Sequence, residues 1–322
     1  MKKSLVADLA LLFVAMVWGS TFVVVQRAVD LLPPLAFNGI RFAMGALFLL
    51  FIIRLFYPHQ LTQMNGRLWR TGIFLGIWLF AGYFLQTWGL LYTTSSKAGF
   101  ITGLSVVLVP IFAFLLSKQR IKPQAMVGVL LATGGLYLLT LNGSLAIEKG
   151  DFLVFLCAIA FAMHIVLTGR YTMQFPSMPL AFVQITTVSI MNWLIGGLLA
   201  IGGVEESALQ ITFSLSTLTE PYLWFALLIT SLFCTALAYF VQTEFQKWTS
   251  PTRVALIYAT EPVFAALTGV LAAGEILMGN QLWGMVLILT GMILAEIPLE
   301  RLLKKRLIPS ASTQAKLHDM DR

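Results

Sequence analysis

The sequence predicts an all-α integral membrane protein, with ten transmembrane helices set as two inverted five-helix repeats. Three observations lead there. The 322 residues are 58% hydrophobic and 11% charged, with a mean hydropathy of +0.86, a balance foreign to soluble domains. The apolar residues come in runs of about 20, the length a helix needs to cross hydrocarbon. The chain also repeats itself: Tyr83-Phe84-Leu85-Gln86-Thr87 returns as Tyr239-Phe240-Val241-Gln242-Thr243, an offset of 239 − 83 = 156.

The match extends well beyond the pentapeptide. At the same offset Lys97 falls on Arg253, Gln119 on Glu275, Gly128 on Gly284 and Gly135 on Gly291. Earlier in the chain the offset is smaller. Asp8 matches Asp151 and Arg27 matches Arg170 at 143, and Pro34-Leu35-Ala36-Phe37 matches Pro179-Leu180-Ala181-Phe182 at 145. Self-similarity of this kind marks a duplicated structural unit. Inside a bilayer each backbone polar group must be satisfied within the protein, which leaves helices or closed barrels. The runs do not alternate, so they are helices.

The first span covers roughly residues 6–26. It follows Lys2-Lys3, but it is long, holds Trp18 and lacks a small-residue cleavage site, so it reads as a retained span rather than a signal peptide. The second, roughly 34–56, opens at Pro33-Pro34; proline suits a first helical turn, where its missing N–H has no partner anyway. The third and fourth cover roughly 70–92 and 95–117, and the fifth, roughly 122–141, opens at Pro123. Asn142-Gly143-Ser144 marks the seam between halves. The sixth and seventh follow at roughly 151–169 and 178–202, with Pro176 and Pro179 at their junction. The long loop from Glu205 to Glu220 accounts for the growth of the offset from 145 to 156. Pro221 and Pro251 open the eighth and ninth spans, roughly 221–243 and 250–273, and the tenth covers roughly 279–298. Three regions result: residues 1–142 as the first repeat, 143–300 as the second, inverted repeat, and 301–322 as a basic, partly disordered cytoplasmic tail.

Orientation follows the lysines and arginines. With a cytoplasmic N-terminus, that side collects Lys2, Lys3, Arg54, Arg67, Arg70, Lys118, Arg120, Lys122, Arg170, Lys247, Arg253 and the basic residues of the tail. The other side collects only Arg27, Lys97 and Lys149. Both termini are therefore expected inside, in a bacterial-type plasma (inner) membrane. Five spans per half is an odd number, so the second half enters from the opposite face. The net charge of +7 is spent on this asymmetry, and no nucleic-acid partner is implied. The cluster Arg301 to Arg306 reads as a topology anchor or as a site for anionic lipid.

Several function classes drop out. The sequence has no Walker loop, no HExxH, no zinc-spaced Cys/His cluster and no G-x-S-x-G. No cofactor is implied, and neither an ATP-driven pump nor a metalloprotease fits. Cys157 and Cys234 lie inside apolar runs and read as packing residues. A membrane-embedded enzyme needs clustered nucleophile and base, and only His164 and Glu261 offer themselves.

The candidate site residues lie within the spans. Glu261 sits near the middle of span nine, where an ionised carboxylate costs several kcal/mol. It is a candidate proton or cation site, or else a hydrogen-bonded structural acid. Pro262 follows it and frees the carbonyl of Tyr258. The counterpart of Glu261 is Ser105, so the acid exists in one copy. His164, in span six, is a candidate partner for Glu261 or a helix–helix hydrogen-bonding residue. Arg41, in span two, is expected to snorkel outward, with anion binding the alternative. Tyr83 and Gln86 share a helix face, as do Tyr239 and Gln242. The inversion places these pairs at opposite mouths, as gates or as interfacial residues. In span one, Gly19 of Trp18-Gly19-Ser20-Thr21-Phe22 permits close helix approach, Thr21 can bond across helices, and Trp18 can stack on a substrate. Thr102 lies in the small-residue stretch Ser96 to Gly103 of span four. Pro110 is one turn from the position matching Pro262, so the halves are expected to bend differently.

These residues together resemble the drug/metabolite transporter superfamily, EamA type. The resemblance rests on the ten spans in two repeats, on Trp18 to Phe22, on Glu261-Pro262-Val263-Phe264-Ala265, and on Gly274-Glu275-Ile276-Leu277. It covers roughly residues 6–298. It implies a secondary transporter, in many members an exporter of amino acids or other metabolites, with a cavity lined mainly by spans one, three, four, six, eight and nine. The chain departs from the pattern after span four, where Lys118-Gln119 stands in place of a frequent Gly-Glu pair. The residues expected to line the cavity are Trp18, Thr21, Tyr83, Gln86, Thr102, His164, Tyr239, Gln242 and Tyr258, with Glu261 as the coupling site. The expected partners are a small-molecule substrate and the lipid bilayer. The expected mechanism is alternating access, coupled to protons or exchanging one solute for another.

Overall fold

Prolines start helices where the sequence places span edges. Pro34 opens α2 (Pro34–Phe56), Pro123 opens α6 (Pro123–Thr140), Pro221 opens α9 (Pro221–Ile229) and Pro251 opens α11 (Pro251–Tyr258). The other helices are α1 (Lys3–Val29), α3 (Gly66–Gly89), α4 (Ser95–Gly103), α5 (Ser105–Ser117), α7 (Lys149–Tyr171), α8 (Ser177–Ile201), α10 (Ala238–Phe245), α12 (Glu261–Ala273) and α13 (Gly279–Glu296). The computed structural model describes residues 3–89, 92–93, 95–118, 121–140, 148–203, 211, 214–274 and 276–296, and no strand occurs among them. The seam at 142–144, Gln119, Arg120, Glu275, residues 205–210 and 212–213 of the long loop, the 301–322 tail and the side chain of Lys97 lie outside the described residues.

Among the described residues eight helical stretches are long and apolar enough to cross a membrane, and two shorter apolar helices, Pro123–Leu139 and Gly279–Ala295, correspond to the fifth and tenth expected spans. The protein is a multi-pass membrane protein of all-α fold. Large apolar side chains point outward in numbers that only a lipid environment accepts, among them Leu47, Leu130, Leu198 and Leu271.

Spans four and nine are each interrupted. The first breaks at Leu104 between α4 and α5, the second at Ala259-Thr260 between α11 and α12. Thr260 is the counterpart of Leu104, since 260 − 156 = 104. The two spans break at matching residues, while their prolines sit differently. Pro110 sits inside α5, and Pro262 lies in the first turn of α12, where a proline is tolerated. Span eight has a feature of its own: residues Thr230–Leu237 form a π-helix between α9 and α10. Such segments are uncommon and gather at functional sites.

The halves interleave. α1 packs on α10, α11 and α12 of the second half, and α7 packs on α3, α4 and α5 of the first. Gly19 makes the first contact possible, because a Cβ there would stand 2.7 Å from the Cβ of Phe264. α6 and α13 pack on each other. A Cβ on Gly128 would meet Gly291, and one on Gly135 would meet Gly284. Numbers rise along one helix as they fall along the other, so the two run antiparallel. The main core joins Leu11, Val106, Leu136, Val166, Leu256 and Ile288.

Candidate functional site

Interleaving leaves a central cavity of about 460 Å³. Trp18 and Thr21 of α1, Tyr83 and Gln86 of α3, Thr102 of α4, His164 of α7, Tyr239 and Gln242 of α10, Tyr258 of α11 and Glu261 of α12 all line it. The structure thus brings together all ten residues singled out in the sequence. Arg41, Cys234 and Phe161 join them.

The floor of the site is aromatic. Tyr83 and Tyr239 share one hydrogen bond, their hydroxyl oxygens 2.8 Å apart. The matched tyrosines therefore meet, which corrects the expectation that their pairs stand apart at opposite mouths. The glutamines have separate surroundings. Gln86 Nε2 donates to Thr102 Oγ1 at 3.2 Å, and Gln242 is buried. Trp18 packs edge-on against Tyr258, ring centroids 5.0 Å apart, and its Nε1 donates to the carbonyl of Cys234 at 2.8 Å. Thr21 Oγ1 donates to the Val17 carbonyl at 2.7 Å and lies 2.9 Å from Cys234 Sγ. Cys234 belongs to the π-helix and is a polar contact of the wall, more than the packing residue the sequence suggests. Cys157 is buried, and both thiols are free.

One expectation about charge is overturned, and one open alternative is decided in favour of helix–helix hydrogen bonding by His164. Arg41 does not snorkel: it is 5% exposed and lines the cavity. Its Nε donates to Thr235 Oγ1, also of the π-helix, at 2.9 Å. Its guanidinium lies 5.3 Å from the Phe42 ring and 5.7 Å from the Tyr83 ring, within cation–π range. These partners outbid the headgroup region. His164 does not pair with Glu261. Its Nε2 lies 2.8 Å from Gln184 Oε1 and 3.4 Å from Thr168 Oγ1, and Gln184 reaches it from α8 first. Glu261 stands in the first turn of α12, where the helix dipole favours negative charge. It interacts with Arg41 across the cavity, yet the two form no ion pair.

Arg41 was legible as an intramembrane charge. The signal that it turns inward is that Glu261 offers the opposite charge at depth, away from the span ends. No signal marks the π-helix, since Thr230 to Leu237 contains neither glycine nor proline.

The end of the bundle that carries Ser4 and Asp8 is closed by polar bonds. Asp8 Oδ2 accepts from Arg253 Nη2 at 2.6 Å, and Asp8 Oδ1 from Thr249 Oγ1 at 3.3 Å. Gln246 Nε2 donates to the Ile165 carbonyl at 2.6 Å, Ser177 Oγ to Glu244 Oε2 at 2.5 Å, and Thr172 Oγ1 to the Thr243 carbonyl. At the other end Gly99, which lines the cavity, is exposed, with open space where a side chain would stand. There Thr93 Oγ1 donates to Asp151 Oδ1, the counterpart of the Thr249–Asp8 bond.

Known proteins are similar to this chain in sequence and in fold. The EamA-like transporter family matches residues 5–141 and 148–296. An uncharacterized transporter of Archaeoglobus fulgidus is 36% identical over 92% of this chain and 87% of its own length. A probable amino-acid metabolite efflux pump of Salmonella typhimurium is 26% identical over 87% of this chain and 91% of its own. A solved crystal structure covers 94% of this chain and 99% of its own with a TM-score of 0.74 at 19% identity, a likeness of fold. With the family matched in both halves and a relative this similar along nearly its whole length, the chain belongs to the EamA-like transporter family.

Proposed function

We propose that this protein is a secondary active transporter that exports small organic metabolites, amino acids or drug-like solutes among them, by alternating access between two inverted repeats. One observation carries the reading: one cavity is lined by tyrosine and glutamine from both copies of the matched pentapeptide and by Glu261, a partly buried acid within span nine. Reciprocal contacts support the inversion. Gly128 meets Gly291 while Gly135 meets Gly284, and the Asp8–Thr249 bond is answered by Asp151–Thr93. A two-fold axis in the membrane plane exchanges partners in this way. Ten spans and the lysine and arginine asymmetry then leave both termini cytoplasmic in an inner membrane. The polar bonds around Asp8 and the exposed Gly99 support a state closed at the N-terminal end and open at the other. The name of the Salmonella relative favours export and an amino-acid-like cargo.

In this reading Glu261 is the coupling site, loading and releasing a proton as the cavity changes sides. The test is Glu261→Gln in proteoliposomes. Counterflow exchange is expected to persist while accumulation driven by a pH gradient is lost. Unaltered pH-driven accumulation removes the proton role. Arg41 supports a second reading, exchange of one solute for another without protons, because it supplies a countercharge to an ionised Glu261.

A further inference from the structure

Gln184 of α8 is fully buried and stands behind the cavity wall, bonded to His164. We infer that it is a positioning residue: it holds the proton of His164 on Nε2, so that the bare Nδ1 faces the cavity as a fixed hydrogen-bond acceptor for an N–H or O–H of the solute. The role in recognition rests on the transport reading above; the state of the imidazole ring does not.

Counting hydrogens along one chain of contacts fixes the tautomer. Thr243 Oγ1 donates its single hydrogen to the Tyr239 carbonyl at 2.7 Å, so toward Gln184 it can only accept. Gln184 Nε2 supplies that hydrogen at 3.5 Å. The amide is thereby turned with Oε1 toward His164, 2.8 Å from its Nε2. An amide oxygen accepts and does not donate, so Nε2 carries the proton. Thr168 Oγ1, 3.4 Å away, shares the same ring nitrogen. His164, Thr168, Gln184 and Thr243 are all at most 2% exposed. No acid bonds to the ring among the described residues. A second proton would leave an unpaired cation in the membrane interior, which is costly. The ring is therefore neutral and Nδ1 is bare.

His164 lines the cavity. Its Nδ1 has no hydrogen bond among the described residues and is not shut away from the cavity. The Tyr239 ring meets the imidazole edge to face, centroids 6.1 Å apart, and fixes its plane. Neighbouring polar groups of the wall are committed: the hydroxyls of Tyr83 and Tyr239 to each other, Thr21 to the Val17 carbonyl, Gln86 to Thr102. With the proton on Nδ1 the same place would offer a donor, and an N–H of the solute would meet it head-on. The arrangement exists in one copy. His164 matches Thr21 at offset 143, and Gln184 matches Gly39 at offset 145. A glycine has no amide with which to hold a ring. The first half keeps only Thr87, the match of Thr243, so the acceptor belongs to the second half alone.

The test uses the full chain in proteoliposomes, carrying His59→Gln and His318→Gln so that His164 is the one imidazole left of three. Isotope-labelled histidine and solid-state NMR then read the ring, with Nδ1 recognised by its bond to Cγ and Nε2 by its bond to Cδ2. At neutral pH this background is expected to carry the proton on Nε2 alone. Gln184→Met keeps the length of the side chain without the amide and is expected to bring in the Nδ1–H form. Thr243→Val acts one step from the ring by freeing the amide to turn. It is expected to do the same to a smaller extent, and it stands in where Gln184→Met yields no monodisperse protein. A proton on Nδ1 in the background overturns the inference, and so does an unchanged ring in the variants. A flux arm uses a pool of L-amino acids with uncharged side chains. His164→Asn puts an amide oxygen where Nδ1 stood, while His164→Gln puts one near Nε2, where a merely structural bond to Gln184 would want it. At low solute concentration His164→Asn is expected to move the pool about fivefold faster than His164→Gln, the scale of one neutral hydrogen bond. Equal flux, or faster flux in His164→Gln, overturns the inference. Wild-type vesicles that move none of the pool contradict the cargo proposed above, and the NMR comparison then decides the inference by itself.

Discussion

The two copies of the repeated pentapeptide share their sequence and differ in what they touch. In the second copy the run continues through Thr243, Glu244 and Gln246, and each makes a bond to another helix: Thr172 to the Thr243 carbonyl, Ser177 to Glu244, Gln246 to the Ile165 carbonyl. In the first copy the place of Glu244 is taken by Trp88. Its Nε1 is buried without a hydrogen-bond partner, and its ring leans on Phe84, centroids 5.6 Å apart. Upstream the contrast continues. Residues 230–237 form a π-helix, while the matching stretch of α3, residues 74–81, is a plain α-helix. The difference teaches that two stretches of matched sequence can sit in unlike surroundings, one rich in polar bonds to other helices and the other in aromatic contacts.

The comparison is broken first at the polar stretch. Gln246→Leu installs the residue that the first copy has at the matched position 90. It removes a 2.6 Å bond to the Ile165 carbonyl from a residue 2% exposed. A buried carbonyl left without its donor costs about 1–3 kcal/mol. A lower thermal midpoint in detergent is expected; an unchanged midpoint means the bond does not hold that end shut. The shared tyrosine bond comes next. Tyr83→Phe and Tyr239→Phe should each cost about 1 kcal/mol, because each leaves the other hydroxyl unpaired. The double variant should be less destabilised than the sum of the two, since one bond is lost and no orphan remains. Additive losses would separate the two hydroxyls. Trp88→Phe sharpens the other side of the comparison. Its indole N–H has no partner to lose, so the change should stay within about 0.5 kcal/mol. A large loss would show that the aromatic stretch also depends on a polar contact.

Much of the fold was legible because a bilayer permits few solutions. Run length and composition impose helices, and a fixed offset imposes a repeat. The matched pentapeptide pointed to the cavity because tyrosine and glutamine are unusual at that depth. What escaped was the choice among partners. His164 had Glu261 as the obvious titratable neighbour, yet Gln184, twenty residues on, stands closer in space. Arg41 looked like a snorkelling residue because its anchor, Thr235, lies 194 residues away on a π-helix. Leu104 gave no sign of a break because Gly103 and Leu104 are ordinary in a helix; only its match to Thr260 carries the information. Single-residue chemistry was readable along the chain, and pairwise chemistry between distant spans was not.

The central claim is that this cavity opens to one face at a time. Cysteine labelling with a membrane-impermeant reagent tests it most directly, in protein whose Cys157 and Cys234 are replaced by serine. Gly99→Cys is expected to label only from the face opposite the N-terminus. Thr243→Cys is expected to label only from the N-terminal face, and only while solute is being moved. Labelling of Gly99→Cys from the N-terminal face, or of both positions in one molecule at once, would contradict alternating access and leave a channel or a static pocket in its place.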